Sequence, residues 1–302
     1  MKRFFIIILL AFIYASTWAC TTAPKNETKK VETEVEQPQE EPQKENVKDI
    51  KVHSAAMNKD IDVRVILPEN YEQMSNLSTV YLLHGFSGNS KDWDNNGEVS
   101  KWVNLYNAIL VLPDGGYDSW YFDAPKDPTY RYETFVAKEL VEYIDSHYKT
   151  RRDRNFRAIT GLSMGGHGAM YLSIRHQDVF GSVGCISGGV DIRPFPGNWG
   201  ISKRLGTIEE NPENWDELTV INQVDKLKNG DLNILIDCGL EDFFYQVNCN
   251  LHDKLRKMGI AHDFYIRPGA HNWDYWRNAI QYHLLFFDNC FREAESKLSE
   301  KR

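Results

Sequence analysis

The chain has 302 residues, 42% of them hydrophobic and 13% aromatic, which is enough to bury one large core and excludes a small disulfide-stapled scaffold. Its formal charge of -8, from 43 acidic against 35 basic residues, and the lack of a Lys/Arg stripe interleaved with aromatics leave no basic field to grip phosphate backbones, so nucleic acid is not expected as a partner.

In chain order, residues 1–20, "MKRFFIIILLAFIYASTWAC", open with Lys2 and Arg3 and continue through an apolar run from Phe4 to about Tyr14. Small residues and Cys20 follow, which is a secretory signal pattern. The run is short for a bilayer span. A cysteine directly after it resembles the acceptor of a bacterial lipoprotein signal, although Thr17 stands where the usual pattern has Leu. Cys20 is thus expected as a lipid anchor to a bacterial membrane, with ordinary cleavage and periplasmic or secreted release as the alternative. Residues 21–46 are rich in Glu, Lys, Gln, Pro and Thr and lack aromatics, a composition that cannot bury enough surface to order itself and reads as a tether.

From 47 to 302, strand-like and helix-like segments alternate as in one catalytic domain. Residues 60–68 alternate apolar and polar as a half-exposed strand does, while 79–85 and 108–115 are compact apolar runs closed by turn residues, the pattern of central parallel strands. Residues 134–148 place Phe135, Leu140, Ile144 and Tyr148 near one helical face. "FRAITG", "SVGCISGG", "LNILIDCG" and "HDFYIRPG" read as further strands. Between them, 192–230 looks like an irregular insertion over one end of the sheet. The repeated strand-helix-strand order implies a mostly parallel central sheet, helices on both faces, and ligands at the carboxyl ends of the strands.

Four cysteines follow Cys20: Cys185, Cys238, Cys249 and Cys290. None has zinc-like spacing, so neither a metal nor another cofactor is expected. Cys185 and Cys238 fall in apolar runs. A Cys249–Cys290 disulfide is one option in an oxidising compartment, and the sequence leaves it open.

The segment "AITGLSMGGHGAMYL" (158–172) sets Ser163 between a strand and a helix, flanked two residues away by Gly161 and Gly165. In a nucleophile elbow these positions must be small, because strand and helix pack closely around a strained turn. The turn also puts the Met164 N–H at a helix start, where it can donate to a developing oxyanion. A serine hydroxyl needs a base and the base an orienting acid. Asp242 and Glu241, just past one strand end, are the candidate acids, and His271 follows the next strand. Phe86, after an early strand end, is the second candidate oxyanion donor. His84 and His167 read as structural residues. Trp93, Trp120, Tyr121, Trp199 and Trp273 sit in strand-end loops as candidate walls of a substrate pocket.

Taken together, "LLHGFSG", "SWYFDAP", "GLSMGGHGAM", "DCGLEDFFY" and "PGAHNWDYW" resemble the esterase D-like branch of the α/β-hydrolases. That branch includes short-chain esterases, feruloyl and acetylxylan esterases, S-formylglutathione hydrolases and mycolyltransferases. The resemblance runs from about Asp49 to Phe291 and implies an α/β-hydrolase fold, with Ser163 as nucleophile, Asp242 as acid, His271 as base, and the Phe86 and Met164 amides as oxyanion donors. Together with the signal pattern and tether, it implies an exported serine carboxylesterase of the cell envelope, cleaving acetyl- or feruloyl-type esters on polysaccharide through an acyl-enzyme. The alternatives are an acyltransferase to a sugar hydroxyl and a non-catalytic carbohydrate-binding lipoprotein. Oligomeric state is not legible.

Overall fold

The computed structural model describes residues 46–300; the expected signal segment with Cys20, and the linker up to residue 45, lie outside the described residues. Eight strands form one sheet: β1 (Val47–Ser54), β2 (Lys59–Ile66), β3 (Thr79–Leu83), β4 (Ile109–Pro113), β5 (Arg157–Gly161), β6 (Ser182–Ile186), β7 (Asn233–Gly239) and β8 (Asp263–Arg267). Their order is β1-β2-β4-β3-β5-β6-β7-β8. β1 and β2 pair antiparallel, as do β2 and β4, and all other neighbours are parallel.

The strand interiors explain the layering. β3, β4, β5 and β6 are buried at every residue, as parallel strands covered on both faces must be. Helices α1 (132–147), α2 (Met164–Arg175) and α3 (Tyr245–Lys257) cover one face through residues such as Phe135, Met170 and Leu251. On the other face, α4 (Trp273–Ser299) lays down Ile280, Leu284 and Phe287 beside Val103. β2 is less exposed than its alternation suggests, because Arg64 is drawn inward by Asp49, at 2.7 and 2.9 Å, and by Asp94, at 2.9 Å.

The segment between β6 and β7 contains short helices, among them Ile201–Leu205 and Pro212–Leu218. It is fastened to the loop after β4 by Arg204, whose guanidinium donates to Asp118 and Asp127 and lies 3.3 Å from the Tyr130 ring centroid. Nε and Nη2 both donate to Asp118 Oδ1 and Nη1 to Asp127 Oδ2, so the planar guanidinium is fixed in orientation as well as distance. All four described cysteines are free, so the Cys249–Cys290 disulfide is absent.

Candidate active site

The carboxyl ends of β3, β5, β7 and β8 lie along one edge of the sheet, and the loops that leave them carry the candidate chemistry. Ser163 follows β5 with φ 56° and ψ −117°, a conformation that costs a non-glycine residue on the order of 1–3 kcal/mol and persists only where its surroundings enforce it. Its N–H donates to Ile186 O at 2.9 Å and its carbonyl accepts from His167 N at 3.0 Å. The glycines permit this geometry by close approach. A Cβ on Gly161 would lie 2.5 Å from Gly165 O, and one on Gly165 would lie 2.3 Å from Leu83 O. The elbow is thereby pressed against the end of β3.

Ser163 Oγ and His271 Nε2 are 2.9 Å apart, and His271 Nδ1 lies 2.9 and 3.1 Å from the two Asp242 oxygens. The Asp242 side chain is fully buried and also accepts from Phe244 N at 2.8 Å. An acceptor-only carboxylate at Nδ1 dictates that this nitrogen carries the hydrogen, which leaves Nε2 with its lone pair toward the serine. The imidazole is sheltered by rings, with Phe243 at 4.1 Å, Phe244 at 5.4 Å and Trp276 perpendicular at 4.9 Å between centroids. Low polarity around the chain of bonds strengthens each of them. Glu241, the other candidate acid, is exposed and points elsewhere: its carboxylate accepts from Gly269 N at 2.5 Å.

The Phe86 and Met164 amides have no backbone acceptor among the described residues. Both residues border Ser163, Phe86 as a wall of the same cleft and Met164 as the first residue of α2. His84 holds the loop that carries Phe86. Its Nδ1–H donates to Gly85 O and its Nε2 accepts from Gly115 N, both at 2.7 Å. His167 lies fully buried with Nδ1 3.2 Å from Trp120 O and Nε2 3.1 Å from Leu218 O, as a strut between the elbow helix and the β6–β7 segment; burial pushes its pKa down to about 4, and the neutral ring donates to one of these two carbonyls.

The cleft over Ser163 holds about 300 Å³, the small end of the range for ligand pockets. Trp199 and Trp273 line it, as expected from the sequence, but Trp93, Trp120 and Tyr121 do not. Each of those three is at most 1% exposed and has its polar atom satisfied inside: Trp93 by Leu83 O, Trp120 by Trp199 O and Tyr121 by His84 O. They support the walls from behind. The sequence reading missed Phe243, which is half exposed at the cleft and stacks on Trp199 with centroids 5.5 Å apart. The available signal was its adjacency to the acid in Glu241-Asp242-Phe243. Leu162 and Asp92, also in the lining, carried no signal of their own.

A serine at a strained elbow after β5, an acid after β7 and a histidine after β8, on a sheet of this order, define a serine hydrolase of the α/β-hydrolase fold. The chain belongs to the Esterase family, whose model matches residues 54–287, and it is an enzyme acting on carboxylic ester bonds. It is 26% identical over 254 residues to an acetyl esterase of Caldicellulosiruptor saccharolyticus, covering 78% of this chain and 95% of that one. It is also 26% identical, over 269 residues, to the diacylglycerol acyltransferase/mycolyltransferase Ag85B of Mycobacterium avium, covering 76% of this chain and 79% of that one. Among solved structures, a ferulic acid esterase matches with a TM-score of 0.71 and 28% identity over 81% of this chain and 98% of that one.

Proposed function

We propose that the protein is an exported serine carboxylesterase that removes short acyl or aromatic acyl groups, acetyl or feruloyl, from polysaccharide through an acyl-enzyme. The observation that carries this reading is the unbroken chain Ser163 Oγ, His271, Asp242 at hydrogen-bond distance in a cleft with two unspent amides beside it. Ser163 Oγ attacks the ester carbonyl while His271 Nε2 takes its proton. The Phe86 and Met164 N–H groups meet the oxyanion, and His271–H⁺ hands the proton to the departing alcohol. Water, activated by the same nitrogen, then releases the acid. Substrate size follows from the aromatic walls and the small cleft, which suit a flat or short acyl group and offer no bed for a long chain. Acetyl and feruloyl are favoured because the named relatives at 26% and 28% identity are an acetyl esterase and a ferulic acid esterase.

Export rests on the signal pattern of residues 1–20, and lipid anchoring on Cys20; among the described residues no helix is long and apolar enough to cross a membrane. The test of the reaction is kcat/KM for methyl ferulate, nitrophenyl acetate and nitrophenyl palmitate on the wild type and Ser163→Ala. Short or aromatic esters are turned over, palmitate is slower by a hundredfold or more, on the order of 3 kcal/mol, and the alanine variant loses about 10⁴-fold or more. A preference for palmitate overturns the pocket reading, and an active alanine variant overturns the nucleophile.

A further inference from the structure

The segment that carries His271 leaves β8 at Arg267 and enters α4 within its first turn at Tyr275, and both of these residues bind one carboxylate. Arg267 Nη2 donates to Asp237 Oδ2 and the Tyr275 hydroxyl donates to Asp237 Oδ1. Asp237 belongs to β7, is fully buried, and stands five residues before Asp242 on the same stretch of chain. The stretch Asp237–Asp242 therefore grips the histidine segment at four points: at both ends through Asp237, at Gly269 through Glu241, and at the imidazole through Asp242.

A buried ion pair is a poor source of net stability, since removing two charged groups from water offsets most of their attraction. Its geometric yield is larger, because a carboxylate with one donor on each oxygen fixes both donors in direction and distance. We propose that Asp237 is a positioning residue for ester hydrolysis: by holding both ends of the segment 268–274, it sets where the His271 imidazole lies between Asp242 and Ser163. The proposal rests on the reading of His271 as the base.

The surroundings of Asp237 give it a pH signature. The titratable groups facing it are Arg267 and Tyr265 from β8, Tyr275 and His283 from α4, Cys185 from β6 and Cys238 beside it. Burial lifts the Asp237 carboxyl to about 6 against the pull of Tyr275 and Arg267. His283, 3.9 Å away, is pushed down by burial to about 3 and stays neutral. As pH falls through about 6, Asp237 takes up a proton and its charge-assisted hold on Arg267 is lost. The wild type then approaches the state of an Asp237→Asn variant.

The test is kcat for nitrophenyl acetate, from pH about 5 to about 8, for wild type, Asp237→Asn and Tyr275→Phe, each normalised to competent sites by the burst of nitrophenol. Expected is a 10- to 100-fold lower kcat per site for Asp237→Asn at the alkaline end, with KM within about threefold and a smaller loss for Tyr275→Phe. The wild-type to Asp237→Asn ratio shrinks toward one as pH drops below about 6. Full kcat per competent site in either variant, or a ratio independent of pH, overturns the positioning role and leaves Asp237 as scaffold. If Asp237→Asn does not fold, Tyr275→Phe, which removes one donor and no charge, carries the test on kcat and KM. The reading beneath fails separately: a burst that survives in Ser163→Ala refutes the serine-histidine assignment whatever Asp237 does.

Discussion

Asp242 and Glu241 are neighbours in sequence and both are carboxylates, yet substitution by the matching amides should separate them by on the order of 10³ in kcat. Asp242→Asn keeps the size and the bond from Phe244 N, but it can place an amide N–H against His271 Nδ1, at a site that now meets the imidazole at 2.9 and 3.1 Å. That favours the tautomer with hydrogen on Nε2, which cannot accept the serine proton, and the wrong tautomer in such a triad costs about 10⁴ in kcat, or on the order of 5 kcal/mol of transition-state stabilisation. Glu241→Gln still accepts from Gly269 N, and the backbone bond from Glu241 N to Gly269 O at 3.0 Å is untouched. The loss there is the difference between a charged and a neutral acceptor in an exposed turn, about 1 kcal/mol, or roughly fivefold. The assay is steady-state turnover of nitrophenyl acetate at neutral pH, with circular dichroism to verify folding. Equal losses, or a larger loss for Glu241→Gln, would refute the assignment of Asp242 as the orienting acid.

Two further outcomes concern stability. Glu133 is buried beneath α2, and although burial opposes it, bonds from His176, Tyr171 and Arg175 hold its carboxyl down at about 2. A depressed carboxyl stabilises the fold above the ordinary carboxylate range and loses that contribution as pH falls from about 4.5 toward 2. Glu133→Gln should therefore be less stable by up to about 3 kcal/mol at neutral pH, with the gap closing in acid; urea unfolding at about pH 7 and about pH 3 measures it, and a gap that widens in acid reverses the sign. Gly165→Ala places a methyl group 2.3 Å from Leu83 O and 2.6 Å from His84 O, so the elbow must move off β3. A loss of about 1–3 kcal/mol with a drop in turnover is expected, and wild-type Tm and kcat would show that the close contact is not needed.

The fold was legible where the physics is local. Apolar runs ended by turn residues marked β3, β4, β5, β6 and β7, and the paired glycines around Ser163 marked the elbow, because these signals are set within a few residues of themselves. α3 could also have been read, since Val247, Leu251 and Leu255 recur every four residues and are all buried. The acid was harder: Glu241 and Asp242 differ in which way a turn sends each side chain, and that depends on Gly269, nearly thirty residues downstream. The aromatic walls were least legible. Trp93, Trp120 and Tyr121 share composition and loop position with Trp199 and Trp273, and only the placement of distant carbonyls decides which rings turn inward. Asp237 went unremarked because an aspartate inside an apolar strand shows nothing of the arginine and tyrosine that converge on it from another strand and helix.

Trp199 has a consequence for how such an enzyme changes its taste. It is the only residue of the β6–β7 segment in the lining of the cleft, while the nucleophile, base and acid all sit on other loops. Its ring is held by Phe195 and Phe243, and its carbonyl takes the Trp120 indole N–H. One wall of the cleft thus comes from a piece of chain apart from the reacting residues, while Phe86, Leu162, Phe243 and Trp273 stand beside them on the catalytic loops; the segment that brings Trp199 is tied down mainly at Arg204 and His167. A library confined to residues 195–200 would reshape that one wall without altering a reacting residue, and it would reach the base through Phe243, which stacks on Trp199 and lies 4.1 Å from the His271 ring.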